Sequence, residues 1–175
     1  MIVFWIDDNL ICRSKENVAN MKRKLIERFD CEDCGEFDKF LGNKITKLEN
    51  GVLKMTRPVL VQKFEDEFEI PTQTLKTLGR AGNILTQGDK SLTMNAKVQT
   101  YFRSGVGILI HLMQWSRPDT CNAVRDCARH SIACNELHID AMHRIMKYCI
   151  IVRDHGKTLN PGEKWSRSKD FKFKI

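Results

Sequence analysis

The chain has 175 residues, 29 Lys plus Arg against 22 Asp plus Glu for a formal charge of +7, and 42% hydrophobic residues. That length suits one domain or slightly more with a buried core, and the composition excludes disordered, collagen-like and mucin-like classes. Apolar runs such as Met1 to Ile6 fall far short of the about 20 residues of a bilayer span, and no basic n-region or cleavage site accompanies them, so neither a membrane helix nor a signal peptide is expected.

Met1 to Ile6 reads as a buried strand, Asp7-Asp8 as a turn and Asn9 to Cys12 as the return strand, a hairpin with two carboxylates at its tip. Ser14 can cap a helix in which Val18, Met21, Leu25 and Phe29 share one face, opposite Lys22, Arg23 and Lys24. The expectation is an amphipathic helix packed on a sheet. Beyond an acidic loop ending near Gly35, Phe40 to Leu48 and Val52 to Thr56 form two extended runs joined by Glu49-Asn50-Gly51, whose Asn-Gly favours a tight hairpin turn. Pro58 suits the first turn of a helix carrying Val61, Phe64 and Phe68, which stops near Ile70-Pro71.

From Pro71 to about Asn95 the chain is rich in Thr, Gln, Gly, Asn and Ser and reads as a linker or crossing segment, the expected domain boundary. Three helices follow, at 98–115, 120–134 and 137–152. Asn160-Pro161-Gly162 ends that pattern, and 170–175 alternates Phe171, Phe173 and Ile175 with Lys172 and Lys174, as a strand does. The fold class is α+β. Residues 1–70 hold 12 basic and 14 acidic side chains, net −2, whereas 71–175 hold 17 and 8, net +9. A basic half attracts phosphate backbones through counterion release, and a merely solvated surface carries the same excess. Seven cysteines without a secretory signal point to a reducing compartment, cytosol or nucleus.

Asp7-Asp8 after an apolar strand has two readings: carboxylates held at a strand end to ligate a hard divalent cation, or an ordinary polar turn. Zinc is disfavoured. Cys31-X-X-Cys34 lacks a second close pair, although Cys121, Cys127, Cys134, His130, His138 and His143 are available. Cys127, Cys134 and Cys149 lie on apolar helical runs and read as small core residues. His111, between Ile110 and Leu112, reads as a packing histidine. Gly105 and Gly107 read as close-packing positions, since no Gly-Lys-Ser/Thr follows.

Phe4-Trp5-Ile6-Asp7-Asp8-Asn9-Leu10-Ile11 resembles the Tyr-X-Asp-Asp signature of reverse transcriptases, with Trp5 where Tyr usually stands. Gly35 to Ile45, containing Phe40-Leu41-Gly42, is similar to the primer-grip stretch of copia-type enzymes. Tyr101 to Leu112 and Ser116-Arg117-Pro118-Asp119 resemble two downstream motifs, and the order is that of the family. From Ile2 to about Trp165 the chain thus resembles the polymerase part of a copia-type LTR-retrotransposon polyprotein.

The resemblance implies a partial right-hand polymerase. Residues 1–70 would be the C-terminal part of the palm with two β-hairpins, 71–97 a crossing segment, 98–160 a helical thumb and connection, and 161–175 the start of a ribonuclease H domain. The fingers and the palm's other metal-ligating Asp would lie upstream. The family is an RNA-directed DNA polymerase that uses magnesium, a primer-template and deoxynucleoside triphosphates. By match to its motifs, Asp7 is the catalytic metal ligand, Asp8 its neighbour, and Trp5 stands beside the nucleotide. Lys39, Gly42, Lys44 and Lys54 fall on the primer-grip hairpin, where the lysines either contact phosphate or keep the hairpin soluble. Arg103 and Arg117, with Arg125, Arg129 and Arg144, fall on a primer or template track or on solvated helix faces. One aspartate pair cannot position two dications, so little or no polymerase activity is expected of the chain alone. The rival expectation is a basic nucleic-acid-binding module without catalysis.

Overall fold

In the computed structural model residues 2–5, 8–11, 14–71, 75, 77–79, 85, 86 and 94–160 are described, those at 2–5, 8 and 50 through their backbone alone. Strands β1 (Ile2–Trp5) and β2 (Asp8–Ile11) pair antiparallel with Trp5 opposite Asp8. Asp8 therefore belongs to the return strand, not to the expected turn. Asp7 and the run 161–175, with its expected strand, lie outside the described residues.

Helix α1 (Lys15–Ile26) follows Ser14, whose side chain makes no capping bond to the backbone and accepts instead from Asn17 Nδ2 at 2.7 Å. The apolar spacing forms the helix, but no residue of it is buried, and Phe29 lies past its end at 60% exposure. The expected packing of this face on a sheet is corrected accordingly: Val18, Met21 and Leu25 are only half-buried.

The run expected as one strand from Phe40 to Leu48 is divided. Strands β3 (Lys39–Phe40) and β4 (Asn43–Lys47) are joined through Leu41 and Gly42, with φ of 50° and 72°. Two consecutive positive φ angles match the twist of a two-residue hairpin. The second turn, Glu49–Gly51, is a 3-10 turn closed by Leu48 N–H donating to Val52 O at 2.7 Å, and Gly51 supplies the positive φ of 76°. Strand β5 (Leu53–Thr56) follows. A short strand β6 (Lys157–Leu159), unanticipated from the sequence, completes an antiparallel sheet in the order β3-β4-β5-β6. Gly156 makes this closure feasible, because a Cβ there would stand 2.3 Å from Met55 O.

Helix α2 (Pro58–Asp66) starts at proline, which has the helical φ and no N–H to leave unpaired. Helices α3 (Ala96–Trp115) and α5 (Glu136–Ile151) are capped by Asn95 and Asn135, whose side chains accept from Val98 N and His138 N. Helix α4 (Cys121–Ala128) ends earlier than the expected residue 134, in turns through His130 and Ala133. One core joins Val61, Phe64, Phe68 and Ile70 to Phe102, Val106, Leu109, Leu112, Val124 and the inner face of α5. It is thus continuous across the segment read as a domain boundary.

Gly105 lets α3 approach α5, since a Cβ there would meet Met142 Sδ at 2.4 Å. Gly107 is exposed with open space around it, so its expected close-packing role is corrected. Cys127, Cys134 and Cys149 are buried in this core, and burial pushes the thiols of Cys127 and Cys149 up to about 12. Among the described residues no helix is long and apolar enough to cross a membrane.

Candidate nucleic-acid interface

Residues directly opposite in antiparallel strands share a face of the sheet. The register puts Lys39 opposite Lys44 and Lys44 opposite Thr56; two residues along, Thr46 faces Lys54 and Lys54 faces Thr158. On β4 the alternation is clear: Asn43 and Ile45 are buried, Lys44 and Thr46 exposed. One face of the sheet therefore carries Lys39, Lys44, Lys54, Thr46, Thr56 and Thr158, and no strand residue on it is acidic. Opposite pairs in such a ladder stand about 5 Å apart and diagonal pairs about 7–8 Å. Among the described residues none of the three lysines forms an ion pair; Lys47, which points the other way, is taken by Glu36 at 2.9 Å. Three ammonium groups and three hydroxyls within that spacing suit an extended anion such as a sugar-phosphate backbone.

Behind the turn that joins Lys39 to Lys44 lies a cluster that sequence reasoning missed. Arg57, 5% exposed, caps the start of α2 and extends its guanidinium under the turn. Nε donates to Asn43 Oδ1 at 2.9 Å, Nη2 donates to Leu41 O, and Nη1 donates to His111 Nδ1 at 2.7 Å. Asn43 Nδ2 in turn donates to Phe40 O at 3.1 Å, and the guanidinium carbon stands 5.6 Å from the centroid of Trp115. Gly42 suits this turn through its φ of 72°, since a Cβ there would make only an ordinary contact with Arg57 Nη2 at 3.9 Å. His111 is exposed and accepts from Arg57, which corrects its reading as a packing histidine; partial burial and the Arg57 charge hold it below the ordinary histidine value. These partners are 14, 16 and 54 residues from Arg57, and no local pattern announces them.

Arg117 requires a correction. Expected on a primer or template track, its side chain is 2% exposed, with Nε and Nη2 both bonded to Asp119 (2.9 and 2.8 Å), Nη1 donating to Val152 O and the guanidinium 5.3 Å from the Tyr148 ring centroid. It clamps the 3-10 turn Pro118–Thr120 to the end of α5, and its burial keeps it from a ligand. Arg103 is exposed on α3. Trp5 and Asp8 are opposed across β1 and β2, and the side chains of neither are described.

Among the described residues the histidines and cysteines build no metal-ligating cluster. Cys31 and Cys34 are exposed and free. His138 uses both nitrogens internally: Nδ1 accepts from Asn135 N–H at 3.1 Å and Nε2 donates to Thr86 O at 3.0 Å, while its ring stacks on His130 with centroids 4.0 Å apart. His143 Nε2 lies 2.8 Å from the Tyr101 hydroxyl. Among the described residues no group of three His, Cys, Asp or Glu side chains is placed to hold a metal ion.

No family model matches the chain, and no solved structure matches it. Over 153 residues, 87% of the chain, it is 24% identical to a transposon Ty5-1 protein of Saccharomyces cerevisiae. Over 154 residues, 85% of the chain, it is 25% identical to the retrovirus-related Pol polyprotein from transposon TNT 1-94 of Nicotiana tabacum. The chain spans 49% of the first relative and 12% of the second. Both similarities support a retrotransposon-derived chain.

Proposed function

We propose that this stretch is the palm C-terminus and thumb of a copia-type reverse transcriptase, and that on its own it binds primer-template nucleic acid without extending it. The observation that carries this reading is the set of Lys39, Lys44 and Lys54 on one sheet face, unpaired among the described residues. Each ammonium that neutralises a phosphate releases condensed counterions, so affinity comes from salt-dependent electrostatics with no need of a metal. Thr46, Thr56 and Thr158 add hydroxyl donors to the same surface, which fixes register without reading bases. The motif order, from Trp5-Ile6-Asp7-Asp8 to Ser116-Arg117-Pro118-Asp119, supports the family reading, as do the two transposon relatives.

Nucleotidyl transfer of the kind the family performs would call for a pair of divalent ions to neutralise charge at the transferred phosphate. The donor set here does not fit that pair of ions. Asp7 and Asp8 are a single pair of carboxylates, too little negative charge for two dications. Extension is therefore assigned to the larger parent protein and binding to this stretch.

Fluorescence anisotropy with a labelled primer-template, in magnesium and in chelator, tests the reading. Binding at about 50 mM salt that weakens steeply by about 200 mM, equal in both buffers and without extension when nucleotides are added, is the expected result. Absence of binding at low salt would overturn the proposal, and extension abolished by Asp7→Ala would overturn its non-catalytic part.

A further inference from the structure

We infer that Arg57 and His111 form a clasp that positions the lysine face: the guanidinium bolts the Leu41-Gly42 turn to α3 and so fixes Lys39 and Lys44 relative to the helical core. The inference rests on the nucleic-acid reading above and names the residues that make that surface rigid.

Leu41 has a φ of 50°, a left-handed conformation that any residue with a Cβ disfavours, so the two-residue turn gains from contacts beyond its own β3-β4 ladder. Arg57 supplies such contacts, to the turn and to the strand that leaves it. Nη2 takes the carbonyl of Leu41, at the turn itself; Nε takes Asn43, whose own amide reaches back to Phe40 O. Its remaining edge is committed to His111, midway along the 20-residue α3, and its plane lies near Trp115 at the end of the same helix. A planar group with donors fixed in three directions can do this; the point charge of a lysine cannot.

Arg57 is no phosphate contact, being 5% exposed. Its partners are a carbonyl, an amide, an imidazole and an indole, all uncharged, and among the described residues it has no carboxylate partner. A buried cation kept without a counterion costs desolvation, a cost reasonable for a residue that must donate in three directions at once. The result is a binding surface whose ordering is completed before the ligand arrives, which lowers the entropy lost on binding.

The test uses the full chain with His111→Ala, His111→Gln and Arg57→Lys, read by amide hydrogen exchange at residues 39–44 and by the affinity and salt slope for a labelled oligonucleotide. His111 is exposed, so its variants fold whether or not Arg57→Lys does. The expected result for His111→Ala is exchange at 39–44 faster by about tenfold, the loss of one charge-assisted hydrogen bond. Affinity should fall by up to a similar factor while the salt slope stays as it is, because the lysines remain. Glutamine, which can still accept from Arg57, should restore both. Unchanged exchange at 39–44 in His111→Ala would overturn the clasp. If the unaltered chain binds no oligonucleotide, the nucleic-acid reading fails while the exchange data still decide the clasp. If it binds and His111→Ala binds equally well, the clasp's role in positioning fails alone.

Discussion

In α1, Val18, Met21 and Leu25 recur at helical spacing and yet no residue is buried; in α3 and α5, the same kind of spacing buries a residue in every turn, from Phe102 to Leu112 and from His138 to Ile150. The first region holds the sharpest chemical signature of the chain, the aspartate pair of the hairpin before α1. The second carries the Tyr101 to Leu112 run and Arg103 on α3, yet what it buries is chiefly apolar, and Arg117, just past the end of α3, serves packing. Equal spacing therefore leaves one helix uncovered among the described residues and builds the core from the other two. Between them lies the β3-β4-β5-β6 sheet, tied to the helical core by Arg57 from below and by β6 at its edge, and this is the part that can present charge on a rigid frame.

The contrast breaks most easily in the core. Phe102→Ala should cost about 3–5 kcal/mol in urea unfolding, since a fully buried aromatic leaves a cavity. Leu25→Ala in α1 should cost under about 1 kcal/mol; equal losses would mean that α1 is covered after all. Arg117→Ala should destabilise by about 2–3 kcal/mol, through the lost charged hydrogen bonds to Asp119, and leave oligonucleotide affinity unchanged. Gly156→Ala should cost about 1–3 kcal/mol, because its methyl would meet Met55 O, a backbone atom that moves only with its strand. Hydrogen exchange should then accelerate at Leu53 to Met55 and leave α3 unaffected.

The smallest effect is on pH. Burial lowers the pKa of His111, His138 and His143, with further lowering from Arg57 on His111, from His130 on His138 and from Lys147 on His143. Asp140 near His143 and the Thr86 carbonyl on His138 act the other way. A histidine whose folded pKa is depressed binds more protons when unfolded, so its stabilisation is complete above about 6.5 and is lost as pH falls from there through the folded value. The Tm should therefore decline on acidification below about 6.5, and decline less in His138→Gln, which has no ring to protonate. A Tm that rises on acidification would contradict the neutral, doubly bonded state of His138.

The helices were legible where apolar spacing met a start signal: Pro58 for α2, and the dense periodicity of α3 and α5. Periodicity reports that a face exists, not that anything covers it, and the face of α1 has no buried residue. The division of the strand at Leu41 was not legible, because leucine is a poor left-handed residue and is held there by an arginine 16 residues away. Three exposed residues, Lys157 to Leu159, give no period by which β6 could be read. Of the candidate interface, the lysines themselves could be picked out from the hairpin. That Lys39, Lys44 and Lys54 share one face depends on register, and register depends on a turn the sequence does not disclose.

Under the proposed function, the lysine face of this sheet holds a phosphate backbone. The direct measurement is the salt dependence of oligonucleotide affinity for the unaltered chain and for Lys39→Ala/Lys44→Ala/Lys54→Ala. Each lost phosphate contact reduces the slope of log K against log salt by about 0.7–0.9, so the triple variant should lose about 2–3 in slope and bind more weakly at low salt, with its urea midpoint unchanged. An identical slope and affinity in the two proteins would mean that phosphate lies elsewhere than on this face.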